Sequence, residues 1–141
     1  METITEIEGL PTEEHKLAVA NQFLTAMKNK DWELMRSVMR EDISWTLPGK
    51  SILSGVAPGI DKVIGRAQSL RAFGVMFELK NILLGMEGVA LALHNTAERN
   101  GLVLDEQVVI AFALKDGKIG AMTTYLSDVE GINQFFIEGI I

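Results

Sequence analysis

Behind Pro11-Thr12-Glu13-Glu14-His15, the apolar residues Leu17, Ala20, Phe23, Leu24 and Met27 recur at helical spacing, which predicts a helix from Glu13 to Lys28 with Thr12 as its N-cap. Asn29-Lys30-Asp31 interrupts the pattern, and Asp31 is placed to cap a short second helix whose Trp32, Met35, Val38 and Met39 form one stripe. The two helices are expected to pack as a hairpin. In EDISWTLPG the period changes from helical to alternating: Ile43, Trp45 and Leu47 point one way, Ser44 and Thr46 the other, and Pro48-Gly49 ends the strand. KSILSGVAPG reads as a loop. Ile60, Val63, Ile64, Ala67, Leu70 and Phe73 then predict a third helix, stopped at Gly74.

From Val75 onward the texture is that of strands: VMFELKNILLGME, GVALALHNTAE, DEQVVIAFALKDG and KIGAMTTYLSD follow one another across turns that contain Gly, Asn or Asp. Four strands in succession predict a meander. A last short helix starts at Ser127 or Asp128 and presents Val129, Ile132, Phe135 and Phe136 on one side. Helices first and strands afterward give an α+β domain, a curved antiparallel sheet with three helices from the N-terminal half on one face. In the third of these strands Val108, Ile110, Phe112 and Leu114 share one parity while Ala111 and Ala113 share the other. Both faces are therefore apolar, and a homodimer through the small-residue face is expected.

The 141 residues suit one domain, with residues 1–11 expected as a flexible segment ahead of it. Thirteen Lys and Arg against nineteen Asp and Glu leave a net charge of −6, which disfavours nucleic acid and anionic membranes as partners. The chain has no Cys, so disulfides, thiolate nucleophiles and Cys-based zinc sites are excluded, in keeping with a reducing compartment. METITEIEGLPTEEH lacks the basic-then-apolar order of a secretory signal, and no apolar run is long enough to span a bilayer. A cytoplasmic location is expected. GVAPGIDKVIG places glycines before a helix, but it lacks both the Gly-Lys-Ser/Thr ending of a P-loop and the G-x-G-x-x-G spacing of dinucleotide folds.

FLTAMKNKDWELMRSVMREDISWTLPG and DGKIGAMTTYLSDVEGINQFF, with the order of elements between them, resemble the NTF2-like superfamily of cone-shaped folds, which includes ketosteroid isomerases and SnoaL-like polyketide cyclases. The fold so implied hosts many chemistries and pockets with none. Ketosteroid isomerases pair an Asp base with an oxyanion hole of Tyr and protonated Asp. At the corresponding positions this chain carries Leu47, Phe23 and Ile110, so the resemblance does not extend to that activity. Against the Asp-Arg-Asp arrangement of limonene-type epoxide hydrolases it offers Glu98, Arg99 and, on the final strand, Thr124. SnoaL-like cyclases place an acid and a His around an apolar pocket, and by that resemblance Asp128 and His94 are the candidate catalytic pair.

Asp128 is equally suited to cap the last helix, and a carboxylate that accepts backbone N–H bonds makes a poorer base. Histidine is the residue type suited to acid–base work near neutral pH, yet a single strand His such as His94 also serves as a hydrogen-bonded core or interface residue. Phe23, Trp45, Leu47, Ile110, Phe112, Met122, Thr124 and Leu126 are expected between sheet and helices, as core and as lining of an apolar pocket. Tyr125 has the opposite parity and is expected on the dimer side. One His and one Glu98 on a strand cannot hold a metal, and neither metal nor cofactor is expected. The resulting expectation is a SnoaL-like, cofactor-free acid–base enzyme acting on a small apolar carbonyl compound. The alternative is a non-catalytic dimeric module that binds a small apolar ligand.

Overall fold

The computed structural model describes residues 10–138; residues 1–9, most of the segment expected to be flexible, lie outside the described residues. Helix α1 (Glu13–Asn29) begins where Thr12 Oγ1 accepts the backbone N–H of His15 at 3.1 Å, and it ends on Lys30 in the left-handed conformation. Its buried side carries Val19, Ala20, Phe23, Leu24 and Met27. Asp31 caps α2 (Trp32–Ser37) by accepting the Leu34 N–H. The second helix is shorter than its apolar stripe predicts. Val38 and Met39 are buried, but as the entry to β1 (Met39–Leu47), where Val38 O accepts the Ile119 N–H. An apolar stripe reports burial, and here Val38 is buried as the C-cap of α2 and Met39 as the first residue of the strand.

The Gly- and Ser-rich stretch after Pro48 is only partly loop. Its end forms β2 (Gly55–Pro58), antiparallel to Ser44–Leu47. Arg66 of α3 (Ile60–Ala72) binds these two strands together, donating to Trp45 O at 2.5 Å and to Gly55 O at 3.0 Å with its guanidinium over the Trp45 ring. Burial pulls its pKa down to about 10, so the group stays charged at neutral pH.

The meander follows as β3 (Met76–Leu84), β4 (Gly88–Arg99), β5 (Leu102–Lys115) and β6 (Lys118–Leu126). Asn100-Gly101 and Asp116-Gly117 join the last three strands, and positive φ at both central residues gives each turn the hand that matches strand twist. The six strands lie in the order β2-β1-β6-β5-β4-β3. Every neighbouring pair is antiparallel except β1 with β6, which runs parallel because the chain returns to β1 only after crossing α3 and the whole meander. The architecture is α+β.

Helix α4 (Val129–Phe135) closes the covered face, with Phe135 and Phe136 meeting Phe73 at ring-centroid distances of 6.1 and 5.0 Å. On the uncovered face Ala111 is half-buried, Ala113 is exposed, Val103 is 66% exposed and Tyr125 60%. Among the described residues no helix is long and apolar enough to cross a membrane.

Candidate functional site

Strand β5 sends Leu104, Glu106, Val108, Ile110, Phe112 and Leu114 toward the helices, all of them buried. Five are apolar and one is a carboxylic acid. Glu106 is only 2% exposed, and it lines a small, partly enclosed cavity of about 40 Å³ between sheet, α3 and α4. Trp45, Leu47, Ile110, Thr124 and Leu126 also line that space, whereas Phe23, Phe112 and Met122 are core residues beside it. Phe23 packs edge-on against Phe112 with ring centroids 4.9 Å apart. Ile132 and Phe136 close the cavity from the α4 side.

The polar inventory of the cavity is short. Trp45 Nε1 donates to Thr124 Oγ1 at 2.7 Å, which satisfies the indole inside the core. Asn95 lies directly opposite Glu106 in the β4–β5 register and is 9% exposed; its Oδ1 is buried with no hydrogen-bond partner among the described residues. Glu106 Oε1 accepts the Asp128 N–H at 3.0 Å and the Ser127 hydroxyl at 3.5 Å. Its Oε2 lies against Gly131, where an added Cβ would come within 2.7 Å of it and 2.9 Å of Asp128 Oδ2. A side chain at position 131 would push both carboxyl groups aside, so the glycine lets the first turn of α4 settle over them as they stand.

The two carboxyl groups are not equivalent. Burial raises the Glu106 pKa, and the nearby Asp128 charge adds to it, while the bonds from Asp128 N–H and Ser127 oppose the rise. Asp128 is exposed and caps α4, its Oδ1 accepting the Gly131 N–H at 3.0 Å. It reaches the cavity only through Glu106.

His94 precedes Asn95 and so points to the other face of the sheet. There it donates from Nε2 to Asp105 Oδ1 at 2.6 Å, and its Nδ1 lies 3.6 Å from Glu78 Oε1. His94 and Asp128 are thus not brought together. The residues that sequence reasoning missed are Glu106 and Asn95. Each carried a legible signal, a polar residue on the apolar parity of its strand: L-x-E-x-V-x-I-x-F from Leu104 and L-x-L-x-N-x-A from Leu91.

A wider polar groove of about 700 Å³ lies open to solvent beside α2 and β1. Its two arginines are engaged with surface acids, Arg36 with Asp61 at 3.0 Å and Arg40 with Asp42 and Asp116 at 2.9 and 2.8 Å. Size favours this groove, but chemistry favours the apolar cavity, where the acid is desolvated. Among the described residues no three of His, Asp or Glu gather where they could hold a metal ion.

A six-stranded sheet with helices on one face and a polar-dotted apolar cavity between them defines a cone, and the chain has the fold of the NTF2-like superfamily. The solved structure of Bal32a, from a soil-derived mobile gene cassette, superposes with a TM-score of 0.82 at 24% identity, covering 87% of this chain and 97% of that one. An NTF2-like protein from Burkholderia xenovorans superposes at 0.76 with 18% identity, covering 89% and 98%. TerC, co-crystallised with polyporic acid, superposes at 0.75 with 16% identity, covering 86% and 98%. In sequence, the uncharacterised proteins Rv0034 of Mycobacterium tuberculosis and Mb0035 of Mycobacterium bovis are each 25% identical over 129 residues, 89% of this chain and 98% of theirs. No family profile matches the chain.

Proposed function

We propose that the apolar cavity is an acid–base site at which Glu106 moves a proton to or from a small, largely apolar carbonyl compound, without a cofactor. The observation that carries this reading is the burial of Glu106 in an apolar cavity, which brings its pKa up toward the working range of a general base or acid. Thr124 complements it. Its oxygen already accepts from Trp45, so its own hydroxyl hydrogen is the donor available to a substrate oxygen on which charge develops. The co-crystallisation of TerC with polyporic acid supports the view that this fold admits a small organic compound.

Ligand sites span roughly 300–1,000 Å³, so the cavity of about 40 Å³ must widen to admit one. The route of this reading is the seam between α4 and the loop after Pro48. It is held by Lys50 N–H to Asn133 Oδ1 at 2.7 Å and by the longer bond from Ile52 N–H to Phe136 O at 3.4 Å. The test is deuterium exchange at the α-carbon of a panel of small cyclic ketones, followed by NMR. Exchange catalysed by the wild type and lost in Glu106→Gln is the expected result.

A second reading, a binding module without chemistry, draws on the presence of a single titratable side chain in the cavity lining. Saturable binding by both forms, with exchange by neither, would select it. On the opposite face we propose a homodimer, supported by the small side chains of Ala111 and Ala113 and the exposed Val103 and Tyr125. Ala111→Glu is expected to convert a dimer to a monomer in sedimentation, and a monomeric wild type would remove the proposal.

A further inference from the structure

We infer that the ligand of this cavity carries a hydroxyl group beside its carbonyl, and that Asn95 is the residue that selects for it. The inference rests on the proposed site and adds the substrate class to it. Its starting point is the accounting of donors and acceptors in the cavity. Thr124 Oγ1 receives the Trp45 indole N–H. Glu106 Oε1 receives the Asp128 N–H and the Ser127 hydroxyl. Asn95 Oδ1 receives nothing from the described residues, although the side chain is more than nine-tenths buried and lines the cavity.

A buried amide oxygen without a donor is costly, and a fold keeps one where the donor arrives from outside. The β4–β5 register sharpens the point. Asn95 and Glu106 are directly opposed, so a ligand that presents its reacting carbon to Glu106 presents a neighbouring substituent to Asn95. To pair with Oδ1, that substituent must donate. An ether or methyl group there leaves Oδ1 as it is, whereas an alcohol or enol O–H satisfies it. The favoured class is therefore a small hydroxycarbonyl compound, with its carbonyl oxygen toward the Thr124 hydroxyl and its O–H toward Asn95. A site built to pair with a hydroxyl discriminates strongly against the analogue that lacks it, because rejection leaves the protein group unpaired.

The test uses two ketones of similar bulk, 2-hydroxycyclohexanone and 2-methoxycyclohexanone, titrated against the full chain by NMR. The wild type is expected to bind the hydroxyl compound on the order of tenfold more tightly, with the side-chain amide resonance of Asn95 moving for that compound alone. In Asn95→Leu the ratio is expected to fall to about one while the methoxy compound still binds, and the melting midpoint is expected to rise because an unpaired buried oxygen has been removed. Equal affinities in the wild type, or a preference that survives Asn95→Leu, would overturn the inference. So would a lowered midpoint in Asn95→Leu, which would mark the amide as a structural group. If Asn95→Leu does not fold, the wild-type affinity ratio and the Asn95 resonance decide alone. Either failure leaves the role of Glu106 standing, since deuterium exchange reads it independently; absence of saturable binding for both ketones would overturn both readings.

Discussion

Two titratable side chains on neighbouring strands of one sheet show how much a face decides. Glu106 on β5 and His94 on β4 are both strand residues with a polar partner within hydrogen-bond distance. Glu106 points under the helices, loses nearly all contact with water and has its pKa raised by that loss. His94 points outward to Asp105 and Glu78, whose side chains are 68% and 63% exposed. Residue type alone favours the histidine as the acid–base group, since its ordinary pKa is nearest neutrality. Environment reverses the ranking: burial in an apolar cavity raises the pKa of the carboxyl, whereas the imidazole lies among solvated carboxylates.

The most severe way to break this contrast is to disable each group in turn. Glu106→Gln keeps the shape and an acceptor for the Asp128 N–H, and it is expected to lower turnover by roughly 10²–10⁴-fold, the usual worth of a positioned general acid or base. His94→Gln is expected to change turnover by less than about twofold. A large loss in His94→Gln with Glu106→Gln unaffected would exchange their roles.

The same contrast extends to packing. Trp45 under the helices is 1% exposed, and Trp45→Ala is expected to cost about 3–5 kcal/mol in denaturant unfolding. Tyr125, on the outer face, is expected to cost within about 0.5 kcal/mol when changed to Ala, measured at concentrations where the chain is monomeric. Comparable losses at the two sites would mean that the outer face is as tightly packed as the inner one.

Stability against pH tests the burial of Glu106 without needing a substrate. Its folded pKa lies above the unfolded value of about 4.3, so between the two the folded state holds more protons than the unfolded one. The contribution of this group is therefore present below the unfolded pKa and is lost as pH rises through the folded pKa. Chemical unfolding across that window should show a decline in the wild type that is reduced in Glu106→Gln. A small effect is also expected from Asp128→Asn, which keeps a capping oxygen and removes a charge. Stability should change by less than about 1 kcal/mol, while the Glu106 pKa falls because the neighbouring negative charge is gone.

Much of the fold was legible because local signals agreed. Thr12, Asp31 and Asp128 are caps in both sequence and structure, and the alternation of apolar residues located the strands of the meander. The errors fell where pattern and geometry separate. Val38 and Met39 fit a helical stripe but enter β1, and Gly55–Pro58 has turn composition yet pairs as β2. The candidate site was less legible, because attention to residue chemistry selected His94 and Asp128, whereas the deciding variable was parity. Asp128 acts as punctuation for α4, and its backbone N–H delivers a hydrogen bond to the acid beneath it. Asn95 and Glu106 were visible as polar residues at apolar positions. That they oppose each other across two strands became apparent only with the β4–β5 register.

The central claim is that Glu106 is a desolvated carboxyl poised for proton transfer. A carbon-13 NMR titration of the side-chain carboxyls addresses it most directly. The account predicts a Glu106 midpoint above that of the exposed glutamates, shifting again when a small ketone is added. A midpoint at or below theirs, unmoved by ligand, would mean that water reaches the carboxyl or that its hydrogen bonds dominate, and would contradict the account.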